Sequence, residues 1–164
     1  RTGAKIGMTV FERIIELLGK NHIQYRSLEH EPTKTCAEAA RIRGTTPQQG
    51  AKALVCIADK KPIMIVLPCS RKLDVKLFKR ECEIKDLRFA TPDEVKQITG
   101  LEIGSIPPFG GLFNLTTHLD LTLSSQKQIA FNAGDICRSI IMDYEDYLRL
   151  ENPVQLAHVS LDNS

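Results

Sequence analysis

Two apolar runs parted by three polar residues constrain this chain more than any other feature. Ala51–Ala58 and Pro62–Leu67 flank Asp59-Lys60-Lys61 and read as a hairpin. The first run carries one charge, Lys52, near its head, and the second is apolar on both faces. A strand of the second kind has no side to offer water, so it calls for cover above and below. Helix starts are legible around it. Thr9-Val-Phe-Glu12 is a capping box opening a helix to about Leu18, with Gly19 as terminator. Thr35-Cys-Ala-Glu38 opens a second that Gly44 stops. Thr91-Pro-Asp-Glu94 opens a third, with proline at the first helical position and Gly100 past its last turn. Asp143 caps a fourth through Leu150, ended by Pro153, and a short basic helix fits Leu73–Phe78. Further strands are expected at Tyr25–Glu29, Gln128–Asn132 and Ser139–Met142, and at Leu115–Leu123, where leucines alternate with polar residues. Short strands interleaved this irregularly with helices do not make a regular βαβ array. The expected fold is mixed α/β (α+β), a curved, barrel-like mixed sheet wrapped by helices.

A length of 164 residues suits one domain. Residues 1–8 read as a linker or remnant, 9–153 as the domain and 154–164 as a loose tail. No apolar run reaches the roughly 18 residues of a membrane span, and the start does not resemble a signal peptide. A cytoplasmic protein is expected. The five cysteines, Cys36, Cys56, Cys69, Cys82 and Cys137, form no CxxC pair and mostly sit among apolar neighbours. They read as reduced and buried. The four histidines never stand in a metal-binding spacing, so no metal is expected.

Charge is uneven. Residues 1–90 hold 18 Lys/Arg against 10 Asp/Glu, and residues 91–164 hold 4 against 10. The densest basic stretch is Arg71–Arg88, with seven basic and four acidic residues. It reads either as a solvated amphipathic helix or as a patch for an anionic polymer, and composition does not choose.

GxSxG, GxxxxGK[ST] and GxGxxG are all absent, which removes the main support for a serine hydrolase, a P-loop enzyme and a dinucleotide enzyme. Three glycine-rich places remain: Gly44–Gly50, Gly104–Gly111 and Phe131–Gly134. Lys52 follows Gly50 in an otherwise apolar strand. Either it snorkels to solvent from the strand edge, or it points across a cleft at an anion or a developing oxyanion. Gly104–Gly111 is stiff at Pro107-Pro108 and permissive at its glycines. It is either a tight loop or a backbone cradle for an acyl group. His30 lies at a strand end, where a structural hydrogen bond and a binding role are both open. No triad can be assembled from these residues.

Those segments carry a resemblance. GTTPQQGAKALVC (Gly44–Cys56), TPDEVKQITG with GSIPPFG (Thr91–Gly110), FNAG (Phe131–Gly134) and IIMDYEDYLRL (Ile140–Leu150), with HEPTKTCAEAARIRG ahead of them, resemble the YbaK/ProX family. This is the synthetase-associated editing domain, also called the INS domain. The match runs from about Thr9 to Pro153 and looks closest to the branch that removes serine or threonine from mischarged tRNA.

The resemblance implies a proofreading deacylase that hydrolyses the ester between a small wrong amino acid and the tRNA 3′ end, without metal or cofactor. It implies Lys52 as the functional lysine and Gly104 and Pro108 as the ends of the loop shaping the aminoacyl pocket. His30, Ser105, Ile106, Pro107, Phe109, Asp120, Asn132, Ala133 and Gly134 are the expected substrate-binding residues. Arg71, Lys72, Lys76, Lys79 and Arg80 would meet the acceptor stem, and a synthetase or multi-synthetase complex is an expected partner. After Phe109 the run Gly110-Gly111-Leu112-Phe113 departs from the branch and bears on the pocket rim. Two other readings stand beside this one: a noncatalytic tRNA-binding or scaffold module, and a small-molecule acyl-ester hydrolase.

Overall fold

The computed structural model describes residues 7–162, so residues 1–6 of the expected linker lie outside it, with residues 163 and 164 of the expected tail. The helices are α1 (Val10–Lys20), α2 (Cys36–Arg43), α3 (Val75–Glu81), α4 (Pro92–Thr99) and α5 (Tyr144–Glu151). The strands are β1 (Tyr25–Glu29), β2 (Ala51–Ala58), β3 (Lys61–Pro68), β4 (Arg71–Leu73), β5 (Leu87–Phe89), β6 (Thr117–Asp120), β7 (Gln128–Asn132), β8 (Arg138–Asp143), β9 (Val154–Leu156) and β10 (Ser160–Asp162). They form sheets in the orders β5-β2-β3-β6-β9, β1-β8-β7 and β10-β4. The larger sheet is mixed: β2 pairs antiparallel with β3, whereas β3–β6 and β6–β9 are parallel. The sheets do not close into a barrel among the described residues.

The double-faced apolar strand explains the layering. Met64 and Val66 of β3 enter one core with Ile14, Leu18, Phe109, Leu119, Phe131, Ile140 and Tyr147. Ile63, Ile65 and Leu67 enter another with Cys56, Leu73, Phe78 and Val159. Each fully buried side chain of this size contributes roughly 1.5–3 kcal/mol. Three helix starts follow from their caps: Thr9, Thr35 and Thr91 each accept a hydrogen bond from the glutamate amide three residues on.

Several expectations change. The helix α1 runs through Gly19 and ends at Asn21, whose side-chain amide donates to the Leu17 carbonyl at 2.8 Å. The expected strand Leu115–Leu123 is cut to β6, because Asp120 accepts from the Thr122 amide at 3.0 Å and turns the chain into a 3₁₀ helix, Leu121–Ser125. The basic helix starts later than expected, at Val75, because Asp74 caps it. The loose tail is corrected through residue 162. There β9 adds to β6, and β10 pairs with β4, fastened by Arg71 to Ser160 and Asp162. The cysteine expectation is also corrected. Cys36 and Cys69 form a disulfide with Cα atoms 5.8 Å apart, and of the other three only Cys56 is buried. A separation of 33 residues gives no spacing signal; folding alone sets the start of α2 over the turn after β3. None of the described helices is long and apolar enough to cross a membrane.

Candidate functional site

Lys52 stands at the head of β2 because the chain must pass tightly at Gly50. A side-chain carbon on Gly50 would lie 2.9 Å from Cβ of Cys69, and the Cys69 amide donates to the Gly50 carbonyl at 2.7 Å. A cavity of about 400 Å³ lies beside the lysine. It is lined by Thr33–Cys36, Ala39 and Arg43, from α2 and the turn before it, and by Gly50–Ala53 and Cys69. Ile103, Gly104, Ile106, Asn132 and Ile136 complete the lining. The Lys52 ammonium reaches the Cys69 carbonyl at 3.5 Å, a long contact and the one hydrogen bond it makes among the described residues.

The glycine-proline loop is held by the turn after β7. Asn132 Nδ2 donates to the Gly104 carbonyl at 2.7 Å, and the Gly134 amide donates to the Ser105 carbonyl at 2.8 Å. Gly104 and Gly134 both have positive φ, +96° and +87°, which suits glycine. At the other end of the loop the Tyr147 hydroxyl donates to the Pro108 carbonyl at 2.6 Å. Behind Asn132 lies Arg43, 7 % exposed, whose Nη2 donates to Asn132 Oδ1 and whose Nε donates to Ser139 Oγ, both at 2.8 Å. His30 closes the line. Its Nδ1 donates to the Glu31 carbonyl at 2.8 Å, which leaves Nε2 to accept from the Ser139 hydroxyl at 2.7 Å.

Lys34, Arg43 and Lys52 line the cavity, and no carboxylate among the described residues does. Burial lowers Lys52 from its ordinary value and brings Arg43 down to about 10. The cavity therefore favours negative charge, formal or developing. It offers no free thiol, since Cys36 and Cys69 are bonded to each other, and no imidazole among its lining residues. Such a site suits water attack on an already activated acyl group.

Of the expected site residues, the fold brings Lys52, Gly104, Ile106 and Asn132 together around the cavity. Ser105, Pro107, Pro108, Phe109 and Ala133 are buried and do not line it. Ser105 Oγ is used by the Glu102 carbonyl at 2.7 Å, and Phe109 packs edge-on against Phe131 and Tyr147. Gly134 acts through its backbone on the loop, and His30 through Ser139. Asp120 is not brought to the cavity; fully buried, it accepts from Thr122 and from the Val159 amide, shaping the chain after β6. Gly110–Phe113 form a short 3₁₀ turn whose residues do not line the cavity. Of the basic residues, Lys72, Lys76 and Arg80 are exposed and Lys79 is half-buried, whereas Arg71 is occupied by Ser160 and Asp162. Sequence reasoning missed Arg43 and the Thr33–Cys36 lining. The one available signal was a second arginine, Arg43, directly before the glycine that ends α2.

A sequence model described as an aminoacyl-tRNA editing domain matches residues 30–150. The chain is 33% identical over 152 residues to the multifunctional Ser/Thr-tRNA deacylase ProXp-y of Escherichia coli strain K12, covering 90% of this chain and 91% of that protein. It is 24% identical to the prolyl-tRNA editing protein ProX of Acetoanaerobium sticklandii, over 85% of this chain and 88% of that one. A solved structure described as a "putative trans-editing enzyme for prolyl tRNA synthetase" superposes with a TM-score of 0.78 at 26% identity, covering 92% of this chain and 96% of its own.

Proposed function

Because the chain belongs to the aminoacyl-tRNA editing domain family, we propose that its cavity hydrolyses the ester of mischarged aminoacyl-tRNA, releasing serine or threonine. The observation that carries this reading is the pairing of Lys52 with an acid-free cavity also lined by a loop stapled by Asn132 and Gly134. An aminoacyl ester needs no strong protein nucleophile. Water attacks the carbonyl, the tetrahedral oxyanion forms in the cationic cavity, and the ribose hydroxyl leaves with a proton. Lys52 holds the terminal phosphate or the oxyanion. Exposed Lys72, Lys76 and Arg80, with Lys79, meet the acceptor-stem backbone and give affinity without sequence readout. Arg71, already paired, is left to fold stability. Association with a synthetase, or with a multi-synthetase complex, would deliver the tRNA.

The departure at Gly110–Phe113 lies off the cavity lining, which supports keeping serine and threonine ahead of alanine. Of the polar side chains expected to bind substrate (His30, Ser105, Asp120 and Asn132), Asn132 alone lines the cavity. The test is single-turnover deacylation of Ser-, Thr-, Ala-, Cys- and Pro-charged tRNAs. Ser or Thr should be fastest and Pro near background. Alanine ahead of both by tenfold or more overturns the substrate assignment. No hydrolysis above the uncatalysed rate on any of them overturns the enzymatic reading.

A further inference from the structure

We propose that Arg43 is a positioning residue: through Asn132 it sets the place of the Gly104 carbonyl, and hence the shape of the loop that faces the scissile acyl group. The inference rests on the editing reading and deepens it. A guanidinium only 7 % exposed is expensive, and Arg43 forms no ion pair among the described residues. Two of its five N–H donors instead go to neutral acceptors on two strands, Asn132 Oδ1 on β7 and Ser139 Oγ on β8, both at 2.8 Å. The register of that pair is already set by the sheet, in which Asn132 faces Ser139.

What the arginine adds is orientation. With Oδ1 taken by Nη2, the Asn132 amide can present only its Nδ2 to the loop, and there it meets the Gly104 carbonyl at 2.7 Å. Flipped by half a turn, the same side chain would set oxygen against oxygen. His30 fixes the line from behind, since its Nε2 accepts a hydrogen bond from the Ser139 hydroxyl and leaves Ser139 Oγ to accept from Arg43. Lysine could supply the charge, but not two donors held rigidly toward two acceptors.

The experiment compares wild type, Arg43→Lys, Arg43→Gln, Asn132→Ala and the Arg43→Gln/Asn132→Ala double variant. Single-turnover deacylation of Ser-charged tRNA gives the chemical rate and the half-saturating concentration separately. Amide exchange at Gly134, which donates to Ser105 in the same loop, reports the loop directly. Both Arg43 variants should lose about tenfold or more in chemical rate with half-saturation changed less than threefold, the pattern of misplacement rather than lost binding. Gly134 exchange should quicken in both. The double variant should be no slower than the slower single variant within twofold, because both substitutions cut one chain. Should Arg43→Gln not fold, Asn132→Ala alone is expected to show the same rate loss and the same quickened exchange. An Arg43→Lys enzyme within threefold of wild type, unchanged Gly134 exchange, or multiplicative losses in the double variant overturn the proposal. If wild type hydrolyses none of the charged tRNAs, the editing reading falls, while Gly134 exchange still decides whether Arg43 holds the loop.

Discussion

At the scale of single residues, Lys52 separates function from stability. Burial holds its ammonium below the ordinary lysine value of 10.5. The unfolded chain then binds that proton more tightly, so this residue's contribution to stability rises with pH from the folded value up toward 10.5. Below that window the charged lysine weakens the fold. Lys52→Met should therefore unfold at the same or a higher urea midpoint than wild type at neutral pH. Lys52→Ala should lose roughly 10²–10³-fold in single-turnover deacylation, the scale of removing one oxyanion-type donor. A Lys52→Ala enzyme within threefold of wild type would remove the residue from the mechanism.

Among the elements, the disulfide between α2 and the turn after β3 ties together two parts of the cavity lining. Cys36 opens α2 and Cys69 supplies the carbonyl that Lys52 touches. Closing a loop across a sequence separation of 33 stabilises by roughly 3–4 kcal/mol in the chain-entropy treatment. Reduction, or Cys36→Ser, should lower the unfolding free energy by an amount of that order and the urea midpoint with it, with the m-value rising as the denatured chain expands. An unchanged midpoint under reducing conditions would show that the bond is not formed in solution. The elements themselves were largely legible. β1, β2 and β7 appear with the expected bounds, since turn residues and alternation bracket them. Strands β4, β5, β9 and β10 were not legible, each three residues long and existing through partners distant in sequence. The break after β6 was hidden too, because leucine alternation continues through Leu123 while one aspartate turns the backbone.

For the whole molecule, the unequal division of charge bears on tRNA. Both ends of the basic stretch are spent within the fold. Arg71 pairs with Asp162 at 2.8 Å, and Arg88 makes a two-pronged contact with Glu94, holding that carboxyl at about 2. Five basic residues remain for an anionic partner, Lys85 beyond the helix and the four on β4 and α3: Lys72, Lys76, Lys79 and Arg80. Affinity for tRNA should fall as salt rises, and neutral substitutions at these four should flatten log affinity against log salt by up to about one unit per contact removed. Arg71→Gln should instead lower stability and leave the slope nearly unchanged. An unaltered slope in the fourfold variant would return the segment to an ordinary solvated helix.

By itself the amino-acid sequence determined what depends on near neighbours. Capping boxes placed helix starts, alternation and apolar runs placed the longer strands, and glycine-proline chemistry marked Gly104–Pro108 and Gly134 as special backbone. Only the tertiary structure decided which of these meet. It joined Cys36 to Cys69, consumed Arg71 and Arg88, sent Asp120 away from the cavity and put Arg43 behind Asn132. The physical reason is range. Local signals act through bonds closed within a few residues, whereas burying an unpaired arginine is tolerable only once strands nearly a hundred residues away supply its acceptors (|i−j| of 89 and 96).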